Sequence, residues 1–275
     1  MPRPTRGALE KTGVDAASGR TETGIDVIGD IAIVRLTGAA SEGEKLAAAV
    51  LSEMKNVKCV FGQEGGIEGE FRLRRLRHLA GEDRTLTTHR ENGCSYKVDV
   101  AKCYFSPRLS TERLRVAESV RSGEDVLNMF AGVGPFSIPI AKKRKTRVTS
   151  CELNPYACDL HRENNELNRV SRLVDVIHSD AMMLPSRVGF KFDRILMPHP
   201  SATFRFLPVA LSLLKPGGVI HYYRHVLGRD VAEASENLDR ELSAALTAGT
   251  KWTVRRVREV GPRWVEMAAE IRPAS

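Results

Sequence analysis

The stretch VLNMFAGVGPFSIPIA, Val126–Ala141, decides the fold. It runs from a short apolar strand pattern into a glycine turn and out again into helical spacing. In a doubly wound sheet the first strand-to-helix turn needs glycine where the backbone bends tightly and comes close to a ligand. Gly132 and Gly134 occupy that turn. A GxGxxG dinucleotide fingerprint would require a third glycine at position 137, but Ser137 stands there behind Pro135 and Phe136. That spacing argues against a nicotinamide or flavin pyrophosphate.

On either side of the turn, apolar strands alternate with helical segments: VLNMFA, PFSIPIAKKR, RVTSCEL, PYACDLHRENNELN, VDVIHSD, FDRILM, FLPVALSLL and GGVIHYYR. Such alternation predicts an α/β domain with a parallel, Rossmann-like doubly wound sheet and a ligand at the carboxyl ends of its strands. At the end of the second strand, Glu152 is placed to accept hydrogen bonds from both hydroxyls of a ribose. After the third, Asp180 and Ala181 offer a carboxylate and a backbone amide to an adenine. Read singly, GVG is a tight connection and each acid an exposed cap. Together, a turn, a ribose acid and an adenine acid on successive strand ends have the layout of an S-adenosylmethionine site. Phe130 and Pro135 would shape its wall, and Asn128 would offer the donor's ammonium a neutral acceptor in place of a charge.

Upstream, residues 1–22 are polar and aperiodic and read as a mobile tail. Residues 23–103 read as a small α+β RNA-binding or positioning domain. DVIGDIAIVRL alternates as strand; Ser41 is a possible N-cap with Glu44 three residues on; VKCVFG is a strand and QEGGIEGEF a loop; ENG turns a hairpin between RTLTTHR and SYKVDVA. A helix follows through TERLRVAESVR, capped by Ser110 or Thr111. Residues 104–275 form the cofactor-binding catalytic domain.

The formal net charge of +8 favours a polyanionic partner if it is clustered. Arg72, Arg74, Arg75 and Arg77 divide between two faces of a strand, and some are expected to meet phosphate. Lys142–Arg147 and Arg255–Arg258 could extend the track. Five cysteines without a CxxC pair read as buried thiols, so neither metal nor disulfide is expected. No run suits a membrane span or a secretory signal, and a cytoplasmic, monomeric protein without membrane contact is expected.

The segments LAGEDRTLTTHRENG, YFSPRLSTERLRV, NMFAGVGPFSIPIAKK, ELNPYA, FDRILMPHP and KPGGVIHYY resemble, in order and spacing, the tRNA guanosine-37 N1-methyltransferases of archaea and eukaryotes. They also resemble the related wybutosine-pathway enzyme that transfers an aminocarboxypropyl group. The resemblance runs from about Gly29 to the C-terminus. It implies a class I methyltransferase domain behind a small domain that helps hold the anticodon arm, S-adenosylmethionine as donor, and guanosine 37 of tRNA as acceptor. It places Glu112 on the general base and Arg72 on the arginine that assists at the target base. Ser106, Arg113, Glu152, Leu153, Asp180 and Ala181 fall on cofactor contacts. Tyr104, Arg108 and the run Pro198, His199, Pro200 fall beside the substrate nucleotide.

The chemistry suits these residue types. Guanine N1 becomes nucleophilic on losing its proton, which leaves charge on O6, so a carboxylate and a cation are both required. A Glu in the first turn of a helix is equally a routine dipole partner. The sequence departs from the resemblance where Asn128 replaces an Asp and where Pro198 replaces the Asn of an Asn-Leu-Pro run, and no room is expected for an elbow-checking N-terminal domain. Arg108 and Pro135 favour methyl transfer over aminocarboxypropyl transfer. A tRNA-binding homologue that has lost catalysis is the third alternative.

Overall fold

In the first unit, the two residues Gly29 and Asp30 fold an apolar run back on itself as β1 (Ile25–Ile28) and β2 (Ile31–Arg35), with Gly29 at φ 59°. The structure is a computed structural model describing residues 24–36 and 40–274, side chains of 40–42 excepted; the tail expected over 1–22 lies outside the described residues. The chain divides into two units, Met1–Ser110 and Thr111–Ser275.

A helix, α1 (Ala40–Glu53), crosses from β2 to β3 (Cys59–Glu68), which pairs parallel to β2 and antiparallel to β4 (Leu73–Gly81), giving the order β1-β2-β3-β4. Leu46, Ala47 and Val50 sit on one side of α1 at helical spacing and bury against Ala32, Val34 and Val60. The helix begins ahead of Ser41, whose side chain lies outside the described residues. QEGGIEGEF, expected as a loop, is strand over its first six residues and turn over its last three. β3 continues to Glu68, with an irregular register between Gln63 and Ile67 where Gly65 takes φ 73°. Arg72 lies in the β3–β4 turn, not on the strand, at φ 56°. The ENG hairpin is present: β5 (Leu86–Glu91) pairs with β6 (Cys94–Asp99) through Asn92 and Gly93, both at positive φ as a type I′ turn requires.

In the second unit the strands are β7 (Val126–Asn128), β8 (Val148–Glu152), β9 (Val174–His178), β10 (Phe192–Met197), β11 (Leu214–Leu227), β12 (Lys251–Gly261) and β13 (Trp264–Arg272). Their order is β12-β13-β11-β10-β7-β8-β9, parallel from β11 to β9, with β13 antiparallel between β11 and β12. The chain winds outward from β7 through β8 and β9, then returns to β10 on the other side of β7. The topological switch therefore lies at the carboxyl end of β7, where a doubly wound sheet opens its ligand crevice. The helices are α2 (Ser110–Ser119), α3 (Ser137–Arg144), α4 (Pro155–Leu167), the short α5 (Leu184–Arg187), α6 (Thr203–Leu213) and α7 (Val231–Ala245). Leu127, Ile195, Ile220 and Met267 from four adjacent strands share one core with Phe206, Leu207 and Ala210 of α6 and Leu238 and Leu242 of α7.

The β1–β2 turn of the first unit carries a titration signature. Asp30 accepts hydrogen bonds from Arg84 Nη2 at 2.6 Å, Arg84 Nη1 at 3.0 Å and Thr87 Oγ1 at 2.6 Å. The Arg84 guanidinium draws its carboxyl from 3.8 down to about 2. Because the folded-state value is the lowered one, this stabilisation is present above roughly pH 4 and is lost as pH falls toward the folded value. The pair is about a third exposed, and screening leaves about 1 kcal/mol. Asp30→Asn should therefore lower stability by about 1 kcal/mol at neutral pH in urea melts and flatten the loss of stability between roughly pH 4 and 2. A variant with the wild-type acid slope would refute the assignment.

Candidate active site

The glycine turn at the switch point is held from three sides. The Gly132 N–H donates to Glu152 Oε2 at 2.7 Å, the Ala131 N–H to the Cys151 carbonyl at 2.9 Å, and the Met129 N–H to the Leu196 carbonyl at 3.0 Å. Gly132 and Gly134 take φ of 53° and 94°. A Cβ on Gly134 would stand 2.5 Å from the Cδ2 and Nε2 atoms of His161 on α4, so only glycine fits. His161 is enclosed beneath the turn, and burial pushes its imidazole down to about 3, keeping it neutral.

Asn128 does not face a ligand as expected. It has no exposed surface; its Oδ1 accepts the Phe130 N–H at 3.3 Å and its Nδ2 donates to Ser137 Oγ at 3.1 Å, which also accepts from Ser150 Oγ at 2.8 Å. The neutral amide staples the strand end to the start of α3, where a carboxylate would bury a charge without a cation. The departure from Asp at 128 is thus a matter of turn construction.

Glu152 ends β8, its Oε1 accepting the Asn154 N–H at 2.8 Å while Oε2 holds Gly132. Burial pushes its carboxyl up, and the Asn154 and Gly132 amides oppose that. Leu153 follows, its carbonyl bonded to His178 Nε2 at 3.1 Å. Beyond β9, Asp180 Oδ1 caps the turn Ala181–Met183 through the Met182 N–H at 2.8 Å, and Ala181 is buried. Around Glu152, Cys151 Sγ donates to the Ser179 carbonyl and Cys158 Sγ to the Glu152 carbonyl, and burial pushes both thiols up to about 12.

The loop after β10 forms a stiff wall. The His199 N–H bonds the Met197 carbonyl, its own carbonyl accepts the Ala202 and Thr203 N–H groups, and the Pro200 carbonyl accepts the His225 N–H. Pro198 costs this loop no hydrogen bond of its own, since proline has no N–H to satisfy. Phe130 lies between the rings of His199 and Phe206, at 5.1 and 4.9 Å between centroids.

Glu112, in the first turn of α2, is only 5% exposed. Its Oε1 accepts from Tyr223 Oη, from Arg115 Nη2 at 3.1 Å and from Arg255 Nη2; its Oε2 accepts from Arg115 Nε at 3.1 Å. Arg115 Nη1 also binds Glu270 at 2.7 Å. Arg113 is buried, with its guanidinium carbon 6.0 Å over the Phe136 ring. Arg115 stands one helical turn from Glu112 and was legible from spacing. Tyr223 and Arg255, 111 and 143 residues away, left no local signal.

In the first unit, the Arg72 guanidinium carbon lies 4.5 Å over the Tyr104 ring, so these two predicted residues meet. Arg108 Nε binds Asp26 Oδ1 at 2.6 Å, and Ser106 is buried ahead of the turn Pro107–Leu109. Arg74, expected among phosphate contacts, is instead clamped inside by Asp26, Gln63 and the Phe105 carbonyl. Asp26, which organises both arginines, was missed. Arg77 pairs with Glu64 at 3.1 Å, whereas Arg75 is exposed. Within the other basic runs, Lys143 binds Glu118 and Arg144 the Ala117 carbonyl, while Arg256 pairs with Glu259 and Arg258 with Glu266.

The residues fit S-adenosylmethionine. The turn at the switch point is built on two glycines at positive φ, and two carboxylates stand at the next two strand ends. In comparisons with known proteins, the family described as TRM5/TYW2 methyltransferase domain matches residues 87–245. The chain belongs to the TRM5/TYW2 methyltransferase family. A second family description, TYW2 N-terminal domain, matches residues 8–85. The tRNA (guanine(37)-N(1))-methyltransferase Trm5b of Pyrococcus abyssi is 42% identical over 91% of this chain and 74% of its own length. The Methanocaldococcus jannaschii protein of the same name is 39% identical over 78% of this chain and 62% of its own. A solved complex of aTrm5 with tRNALeu superposes with a TM-score of 0.83 at 33% identity, over 96% of this chain and 76% of that one.

As a TRM5/TYW2 protein the chain is an S-adenosylmethionine-dependent transferase of the class I fold. Among the described residues, no cluster could hold a metal and no helix is long and apolar enough to cross a membrane. Gly134→Ala should lower stability by about 1–3 kcal/mol in urea melts, because the added Cβ would meet the enclosed His161 and Ile138. Wild-type stability in that variant would show that His161 does not close the space against Gly134.

Proposed function

We propose that this enzyme transfers the methyl group of S-adenosylmethionine to N1 of guanosine 37 in tRNA. The observation that carries the cofactor half of this reading is the Gly132–Glu152 hydrogen bond at the topological switch point. The acceptor half is supported by the two relatives named for that reaction. The bound donor supplies an activated sulfonium methyl and leaves as S-adenosylhomocysteine. Gly132, Gly134 and Phe130 seat its methionine part, Glu152 and Leu153 the ribose, and Asp180 and Ala181 the adenine, with Ser106 and Arg113 as further contacts.

Glu112 takes the N1 proton, so that the N1 electron pair can form the new N–C bond. Arg72, stacked on Tyr104, neutralises charge on O6. Arg108 and the Pro198–His199–Pro200 wall position the nucleotide, which keeps the reaction in line. The partner is the anticodon arm of tRNA, and the enzyme works as a cytoplasmic monomer.

The match of residues 8–85 to the TYW2 N-terminal domain favours a second reading, in which the aminocarboxypropyl arm of the same donor is delivered to a wyosine precursor at position 37. Donor labelled separately in the two arms, incubated with unmodified and precursor tRNA and followed by mapping of position 37, separates the readings. Methyl label on N1 is the expected result. Aminocarboxypropyl label overturns it in favour of the second reading, and bound tRNA with neither label identifies a homologue without catalysis.

For the general base, Glu112→Gln should slow single-turnover methyl transfer by about 10²–10⁴ with cofactor affinity within a factor of a few. Near-normal chemistry in that variant would sink the assignment.

A further inference from the structure

Trp264 at the start of β13 is 45% exposed, and Leu227 at the end of β11 is 43% exposed. They stand directly opposite each other in the β11–β13 ladder, so their side chains share one face of the sheet. On β12 the residue opposite Trp264 is Gly261, where an added Cβ would meet nothing within 4 Å. The indole therefore has open space toward β12.

The place of this pair in the fold is informative. Behind it on the same face, alternate residues are His225 and Tyr223 on β11 and Glu266 and Ala268 on β13. Tyr223 is the residue whose hydroxyl reaches Glu112. The pair also lies at the carboxyl end of β11, the end of the sheet that carries the turn after β7. β13 is two strand spacings, about 10 Å, from β10. Between them, the His225 N–H bonds the Pro200 carbonyl at 3.1 Å and ties this end of β11 to the wall assigned to the acceptor.

The charge beside the indole points to the occupant. Arg263 is exposed in the β12–β13 turn, at φ 61°, immediately before Trp264. Its charge reaches Glu233, but that carboxylate is already bonded by Arg229 Nε at 2.9 Å. Among the described residues no carboxylate pairs with Arg263. An open indole with an uncommitted guanidinium beside it suits a nucleobase and its phosphate. An apolar protein surface would cover the same patch only by burying that charge unpaired.

Resting on the reading of tRNA as acceptor, we propose that Trp264, backed by Leu227 and flanked by Arg263, is a stacking platform for an unpaired base of the anticodon loop beside position 37. A guanine delivered to Glu112 leaves its stack, and the neighbouring base loses a face. Trp264 supplies a replacement face, while Arg263 holds the adjoining phosphate.

The chain has two tryptophans, so a Trp252→Phe background leaves Trp264 as the reporter. In that protein, titration with an unmodified anticodon stem–loop should quench the indole emission, and a fully paired RNA duplex of equal length should not. Trp264→Ala should weaken binding of fluorescein-labelled stem–loop, followed by anisotropy, by roughly 5- to 150-fold. Trp264→Tyr keeps an aromatic face and should stay within a few-fold of wild type, which guards against misfolding of the Ala variant. Arg263→Asn, suited to the left-handed turn, should lower the salt slope of binding by about one.

Stem–loop that binds with wild-type affinity to Trp264→Ala, or that saturates the protein without moving the indole emission, overturns the platform and leaves the patch to a protein partner. Equal quenching by the duplex overturns stacking, and an unchanged salt slope in Arg263→Asn overturns the phosphate contact. If labelled stem–loop and tRNA do not bind the wild-type protein at all, the tRNA reading itself fails and the platform with it.

Discussion

The hydrogen bond from the Gly132 N–H to Glu152 Oε2, beside that from the Ala131 N–H to the Cys151 carbonyl, joins the ends of the first two strands of the parallel sheet. The buried carboxylate must be satisfied by donors, and the backbone turn must be fixed by acceptors; each answers the other's need. The bond closes because β7 and β8 are parallel neighbours, so that the turn leaving one strand meets the acid at the end of the other. The stapled Asn128, the enclosed His161 and the excluded side chain at Gly134 all follow from keeping this turn in one conformation.

The second unit was legible because its signals are local and periodic. Short apolar runs set against helical spacing named its parallel strands, and the spacing from Gly132 placed Glu152 at the end of the second one. What escaped were long-range polar contacts. Nothing near TERLRV in the chain announces that Tyr223 and Arg255 close around Glu112. In the first unit the strand pattern of FRLRRLRHLA was readable, but which arginine turns inward was not. Arg74 is buried because Asp26, 48 residues earlier, stands opposite it across the sheet. The misreading of QEGGIE as loop has the same origin, since Gly65 and Gly66, which signal a turn to a local reading, here serve an irregular strand.

The positive charge of the chain is also more committed than a count implies. Arg74, Arg115, Arg194 and Arg258 are spent on carboxylates of the same chain, so the cations available to RNA are fewer than the 42 lysines and arginines suggest, although each pair leaves the net charge unchanged. Arg72 and Tyr104 show another use, in which a guanidinium packs over an aromatic face.

A sulfonium methyl donor is a general alkylating agent, and a thiolate beside it would be a competing acceptor. Cys151 and Cys158 flank Glu152, yet both thiols are buried, each donates to a backbone carbonyl, and each is pushed up to about 12. Since the thiolate and not the thiol is the nucleophile, almost none is present at neutral pH. The same burial that packs the end of β8 thus gives the enzyme chemical resistance to methylating itself.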